Sequence, residues 1–464
     1  MDGLSPEKKA ALQRLLAELP PAAQAKLIEV FERERLVPDA TGAADGVLST
    51  LRDAGAKASP LAKRPTSPER AFFEPIDTLF ETAVDGKLLP GSFDRAHIRP
   101  IWNWLRRNIA PEVVQQAEAD ISQEALRGNT VAVNLAAETL RDFGVTALSR
   151  LYDPENRVIA QDEGLTDSEL QSAIRLGDVL LAERQARTAL QTLAYSSNDL
   201  TEAQAASIHN AYRPLTERRD NSSTALLILV MTRLRRPWQI FRLVRRIHPA
   251  GNDKVLDLTD FAVFGTRILD HLERVSQPLL AAGRDGAAID ATAMITAVEA
   301  YNAFVSGFMR EFDAERDGPW GRRLSEIRRN VANALEAVAD RASALMDDAL
   351  PVVRARIKNV GVIDHAKLTA KVSEADVRNC AEHVRFVQAT RLTAAAAGFG
   401  AAREKALKEI GLHLGKFQDG VLEQMGNPQT RALAQSWVPW IQIVTEALEG
   451  KDAAAIFQRR AKAA

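Results

Sequence analysis

Apolar residues recur every three or four positions along most of the chain, and Pro, Gly or a short polar stretch marks each break. That spacing predicts amphipathic helices. Ser5-Pro6-Glu7 opens the first, with Ser as cap and Pro in the first turn. Leu12, Leu15, Leu16 and Leu19 form its stripe. Pro20-Pro21 ends that helix and starts another, carried by Leu27, Ile28 and Phe31. Residues 1–37 are therefore expected to form a helical hairpin, too small to be very stable alone. Residues 38–69 lack aromatic residues and are rich in Ala, Gly, Ser, Thr and Pro. Such a composition predicts a flexible linker.

The body starts near Ala71. Phe72, Phe73, Ile76, Leu79 and Phe80 share one face, and Ile101, Trp102, Trp104, Leu105 and Ile109 another. Thr130 to Leu151 reads as a helix, Asp153 to Thr166 as a loop, and Thr166 to Glu169 as a capping box. Further helices are expected from Thr201, from Thr259, within 286–316 and 319–350, from Ser373, and from Asn427 to Glu449, before a short polar tail. Pro351 and Gly361 mark a break. No train of alternating strands and no fixed-period repeat stands out. The prediction is an all-α fold: an elongated multi-helix bundle of long antiparallel helices, with the N-terminal hairpin on its linker. At 464 residues the chain exceeds what one core organises, so helical subdomains are expected over 70–250 and 251–464.

The stretch from Asn221 to Asn252 departs from this background. Asn221, Ser222 and Ser223 are N-cap residues. Ala225 to Met231 is apolar on every side, as in a helix covered all round, and is about a third of the ~20 residues a bilayer requires. Pro237 begins a second helix reaching about Ile247, with Ile240, Val244 and Ile247 on one face and Arg242, Arg245 and Arg246 on another. Arg233, Arg235 and Arg236 precede it, Trp238 and Phe241 border its apolar face, and the stretch holds no Asp or Glu. Arg322, Arg323, Arg328 and Arg329, beside Trp320 and with Glu326 interposed, form a second basic group. Two readings stand for both groups. Clustered guanidinium groups receive phosphates or carboxylates from a partner or an anionic surface. Alternatively they pair with acids on neighbouring helices or are simply solvated. The run Glu311, Asp313, Glu315, Asp317 reads as a solvated helix end, or as the counter-charge to the first group.

Lys plus Arg is 60 and Asp plus Glu 61, a balance that argues against nucleic acid as a partner. One cysteine, Cys380, fits a reducing compartment. No leader pattern opens the chain and no window is apolar enough to span a membrane, so the cytoplasm is expected. Alanine- and arginine-rich usage fits a GC-rich bacterial genome. Cys380 and His383 are three apart, but a zinc site needs more ligands. Asp142-Phe143-Gly144 and Gly398-Phe399-Gly400 imitate kinase and dinucleotide motifs without their context. No catalytic residue, metal ligand or cofactor is nominated. The expectation is a non-enzymatic protein–protein interaction scaffold, adaptor or regulatory factor, with self-association open. The alternative is a peripheral protein binding anions or an anionic membrane surface through the Arg-rich helix. The third reading is a helical enzyme without a recognisable motif.

Overall fold

The computed structural model describes residues 67–464 apart from 85, 194–198, 219, 250, 358–360 and 370–371. The expected hairpin over 1–37, and the linker up to residue 66, lie outside the described residues. The fold is all-α, a multi-helix bundle with two small two-stranded sheets among the described residues. In chain order the helices are α1 (Pro68–Phe73), α2 (Ile98–Asn108), α3 (Pro111–Arg127), α4 (Thr130–Ser149), α5 (Pro154–Asp162), α6 (Asp167–Gln191), α7 (Glu202–Thr216), α8 (Ser222–Arg233) and α9 (Ile240–Ile247). There follow α10 (Asp253–Leu256), α11 (Ala262–Ala282), α12 (Ala291–Glu311), α13 (Pro319–Ala349), α14 (Glu374–Ala389), α15 (Ala394–Ala397), α16 (Gly400–Met425), α17 (Arg431–Glu449) and α18 (Lys451–Ala463). The described chain divides into two compact units, one of residues 67–88, 92–187 and 214–229, the other of 89–91, 188–213 and 230–464.

In the first unit, α3 and α4 pair across a tight turn. Gly128 takes the left-handed conformation there (φ 73°), and the Asn129 side chain accepts from Ala132 N–H, starting α4. Helix α1 lies against both. Its Phe72 ring fills the space over Gly144, where a Cβ would sit 2.8 Å from the ring. Arg141, buried, donates to the Ala71 carbonyl at 2.8 Å. The inward face of α4 thus holds Val133, Ala137, Leu140, Gly144 and Leu148.

In the second unit, α13 packs on α11, α14 and α16, burying Leu324, Ile327, Val331, Leu335, Val338, Ala342 and Met346 at helical spacing. Three expectations need correction. Helix α5 occupies most of the stretch read as a loop: Asp153 caps it and Pro154 is its first residue, a position that suits proline. Helix α18 replaces the polar tail, burying Ala454, Phe457 and Ala461. The break at Pro351 is an antiparallel hairpin, Val352–Ile357 with Gly361–Ala366. Its period-two alternation is real but only six residues long, and a short strand is hard to separate from a linker by pattern alone.

Candidate functional site

Asp220 accepts from Ser222 N–H at 3.1 Å, opening α8. Every residue from Ala225 to Met231 is buried. Pro237–Gln239 forms one 3-10 turn that leads into α9.

The candidate residues separate by environment. Trp238 and Phe241 are core residues. Trp238 meets Phe304 edge-on at 4.8 Å and occupies the slot over Gly307, where a Cβ would lie 2.3 Å from the indole. Phe241 packs against Phe312, Phe308 and Trp320 at 4.4, 5.7 and 5.8 Å between ring centres. Arg233 is buried, with Nη1 3.4 Å from the Leu190 carbonyl. Arg235 is exposed. Arg236 donates to Asp199 at 2.8 Å.

Arg242 makes the strongest pair. It grips Glu311 with two hydrogen bonds, Nε to Oε2 at 3.0 Å and Nη2 to Oε1 at 2.6 Å, and donates to the Leu200 carbonyl at 3.0 Å. This fork is the bidentate geometry that makes Arg–carboxylate pairs strong. Glu311 is buried, and the hydrogen bonds from Arg242 hold its carboxyl below the ordinary carboxylate range despite that burial. Arg245 and Arg310 approach the same carboxylate at 3.7 and 3.8 Å, and Arg246 pairs with Glu202 at 3.0 Å. The first basic group and Glu311 of the acidic run therefore meet. Arg323 is bound by Asp270 and by Glu273 at 2.9 Å, while Arg322 lies 3.4 Å from the Gly318 carbonyl of its own first turn. Glu315 and Asp317 both hold Lys254, at 2.8 and 2.7 Å.

One surface escaped the sequence reading. On α4, Val131, Leu135 and Phe143 are 78%, 66% and 45% exposed, with exposed Thr139 between the last two. These four positions form one i, i+4 row, the kind of ridge that interdigitates when helices pack. Along its edge lie Glu138 and Asp142, 3.3 and 3.9 Å from Arg187, which also binds Glu183 at 3.2 Å.

No protein-family model, curated protein or solved structure matches this chain.

Among the described residues no group of three or more His, Cys, Asp or Glu is placed to hold a metal ion. Cys380 and His383 both lie in the core of the second unit. Burial pushes the Cys380 thiol up to about 12, and its Sγ is 3.5 Å from Met346 Sδ. Burial lowers His383, whose Nδ1 is 2.9 Å from the Asn379 carbonyl while Nε2 is enclosed without a partner. In the first unit, burial raises both Tyr152 and Asp178, so the Tyr152 hydroxyl stays a proton donor to that buried carboxyl. No helix among the described residues is long and apolar enough to cross a membrane.

Proposed function

We propose that this chain is a non-enzymatic cytoplasmic interaction protein, a scaffold or adaptor, and that it receives an amphipathic helix along the α4 ridge. The observation that supports this is the exposed row Val131, Leu135 and Phe143. Single exposed apolar side chains are ordinary, as at Leu258 and Leu392. A row of them on a helix already apolar on its buried face is not. From residue 131 to 143 the row spans ~18 Å at the helical rise. Two folded surfaces in stable association bury roughly 1,200–2,000 Å², more than one ridge offers, whereas a single helix with anchors three and four apart fits it. Arg187 is shared by Glu138, Asp142 and Glu183, and the buried Arg141 by Glu183, Glu138 and Glu74, so carboxylates outnumber guanidinium groups there. A basic flank on the incoming helix complements that edge.

Tagged full-length chain, crosslinked in its native cells and purified, tests the proposal. Crosslinks on α4 are expected, together with loss of those partners on Leu135→Asp. An unchanged partner set with crosslinks elsewhere contradicts it.

A second reading has its own support. Glu311 takes two hydrogen bonds from Arg242, while Arg245 and Arg310, both more than half exposed, stand 3.7 and 3.8 Å away. Their spare donors suit the phosphates of an anionic surface. Cosedimentation with phosphatidylglycerol vesicles but not with phosphatidylcholine vesicles, weakened by salt and by R245Q/R310Q, would favour it.

A further inference from the structure

We infer that Cys380, Met346 and His383 form a binding site for a single Cu(I) ion in the core of the second unit.

Two sulfurs set the position. Cys380 on α14 and Met346 on α13 are both fully buried, and the Cys380 thiol donates to Met346 Sδ across 3.5 Å. Sulfurs that far apart can both sit at the ~2.3 Å of a metal–thiolate bond from one ion with little movement. The ion takes the place of the thiol proton, which leaves to solvent. An S–H bond breaks, an S–Cu bond forms, and nothing is oxidised or reduced.

His383 supplies a nitrogen. It stands three residues after Cys380, so the two are neighbours on one side of α14, and it too is fully buried. Its Nδ1 lies 2.9 Å from the Asn379 carbonyl, which can only accept, so Nδ1 carries the ring proton. Nε2 is left with its lone pair, enclosed and without a hydrogen-bond partner. Buried polar atoms are ordinarily paired. An imidazole whose one nitrogen is fixed by a backbone carbonyl while the other stays bare has the arrangement of a metal-ligating histidine.

The donors select the ion. Thiolate and thioether are soft ligands that favour Cu(I). Zn(II) calls for four ligands in a closed site, and with one thiolate it leaves a net positive charge in an apolar core, which is costly. Cu(I) and one thiolate make a neutral pair. Methionine is the member of this set that a search of the sequence for cysteine and histidine passes over.

The test incubates the full chain without oxygen with Cu(I) bicinchoninate and then removes the chelator by gel filtration. One equivalent of copper should be retained, and X-ray absorption should report sulfur and nitrogen neighbours together. Cys380→Ala should abolish retention. Met346→Leu, which conserves volume, and His383→Leu should each weaken it roughly tenfold or more in competition with the chelator, after melts confirm that the variants are folded. Wild type that retains no copper overturns the inference. So do folded Met346→Leu and His383→Leu variants that hold copper as tightly as wild type, and so does retention of Zn(II) in preference to Cu(I).

Discussion

Helices α9 and α4 teach opposite lessons about availability. Helix α9 carries the most conspicuous chemistry in the sequence, yet its arginines are largely engaged. Arg242 closes on a buried glutamate, Arg246 on Glu202, and the neighbouring Trp238 and Phe241 fill the core. Helix α4 offers only Asp142-Phe143-Gly144, a kinase-like triplet without its context, but it turns a row of apolar side chains outward. A guanidinium already bound to carboxylate has little left for a ligand. An exposed apolar row has its burial free energy, about 25 cal/mol per Å², still to gain.

The same substitution in both regions gives the largest contrast. Leu227→Asp, which buries an unpaired charge within α8, should destabilise the protein by more than about 3 kcal/mol. Leu135→Asp on the ridge should change stability by no more than about 0.5 kcal/mol, as exposed sites do. Thermal or urea melts measure both, and equal losses would dissolve the distinction.

Next comes the pair at the centre of the basic group. Glu311→Gln should cost about 2–3 kcal/mol, somewhat less than a fully buried pair, because water still reaches Arg242. The triple change of Arg242, Arg245 and Arg246 to Gln should also lower the melting temperature, since it leaves the buried carboxylate unpaired. A triple variant that melts like the parent would show these arginines to be spare.

Acidification sharpens the picture further. His383 is neutral when folded and its pKa is lowered by burial. The unfolded chain therefore takes up a proton there first, and stability should fall as pH drops below about 6.5. Glu311 is held low by Arg242. Its contribution is present above about 4.3 and is lost as pH falls through the lower folded value. Melts from pH 7 to 3 should show both declines, the first absent in His383→Leu and the second in Glu311→Gln. A smaller effect is expected at the exposed arginines, with Arg245→Gln within about 0.5 kcal/mol of the parent.

Much of this was legible in the sequence. The three-and-four spacing located most helices, the capping box at Thr166/Glu169 formed as spaced, Thr201 caps the helix expected from it, and the run around Leu227 is buried. Other features depended on partners distant in sequence. Arg242 and Glu311 are 69 positions apart, so no local pattern chooses between a solvated arginine face and a paired one. The glycines that admit the indoles, Gly307 for Trp238 and Gly265 for Trp320, read only as weak helix positions. Helix α4 is apolar on two faces, and periodicity cannot say which one the fold covers. Pro154, which the pattern puts in a loop, is the first residue of α5.

The most direct measurement compares two variants of the full chain in its native cells. Partners crosslinked to wild type, Leu135→Asp and the double variant R245Q/R310Q are quantified side by side, after melts confirm that all three are folded. The account predicts that Leu135→Asp loses the partners captured through α4 while the double arginine variant keeps them. Retention by Leu135→Asp, with loss in the arginine variant, would contradict it and move the working surface to the basic group around Glu311.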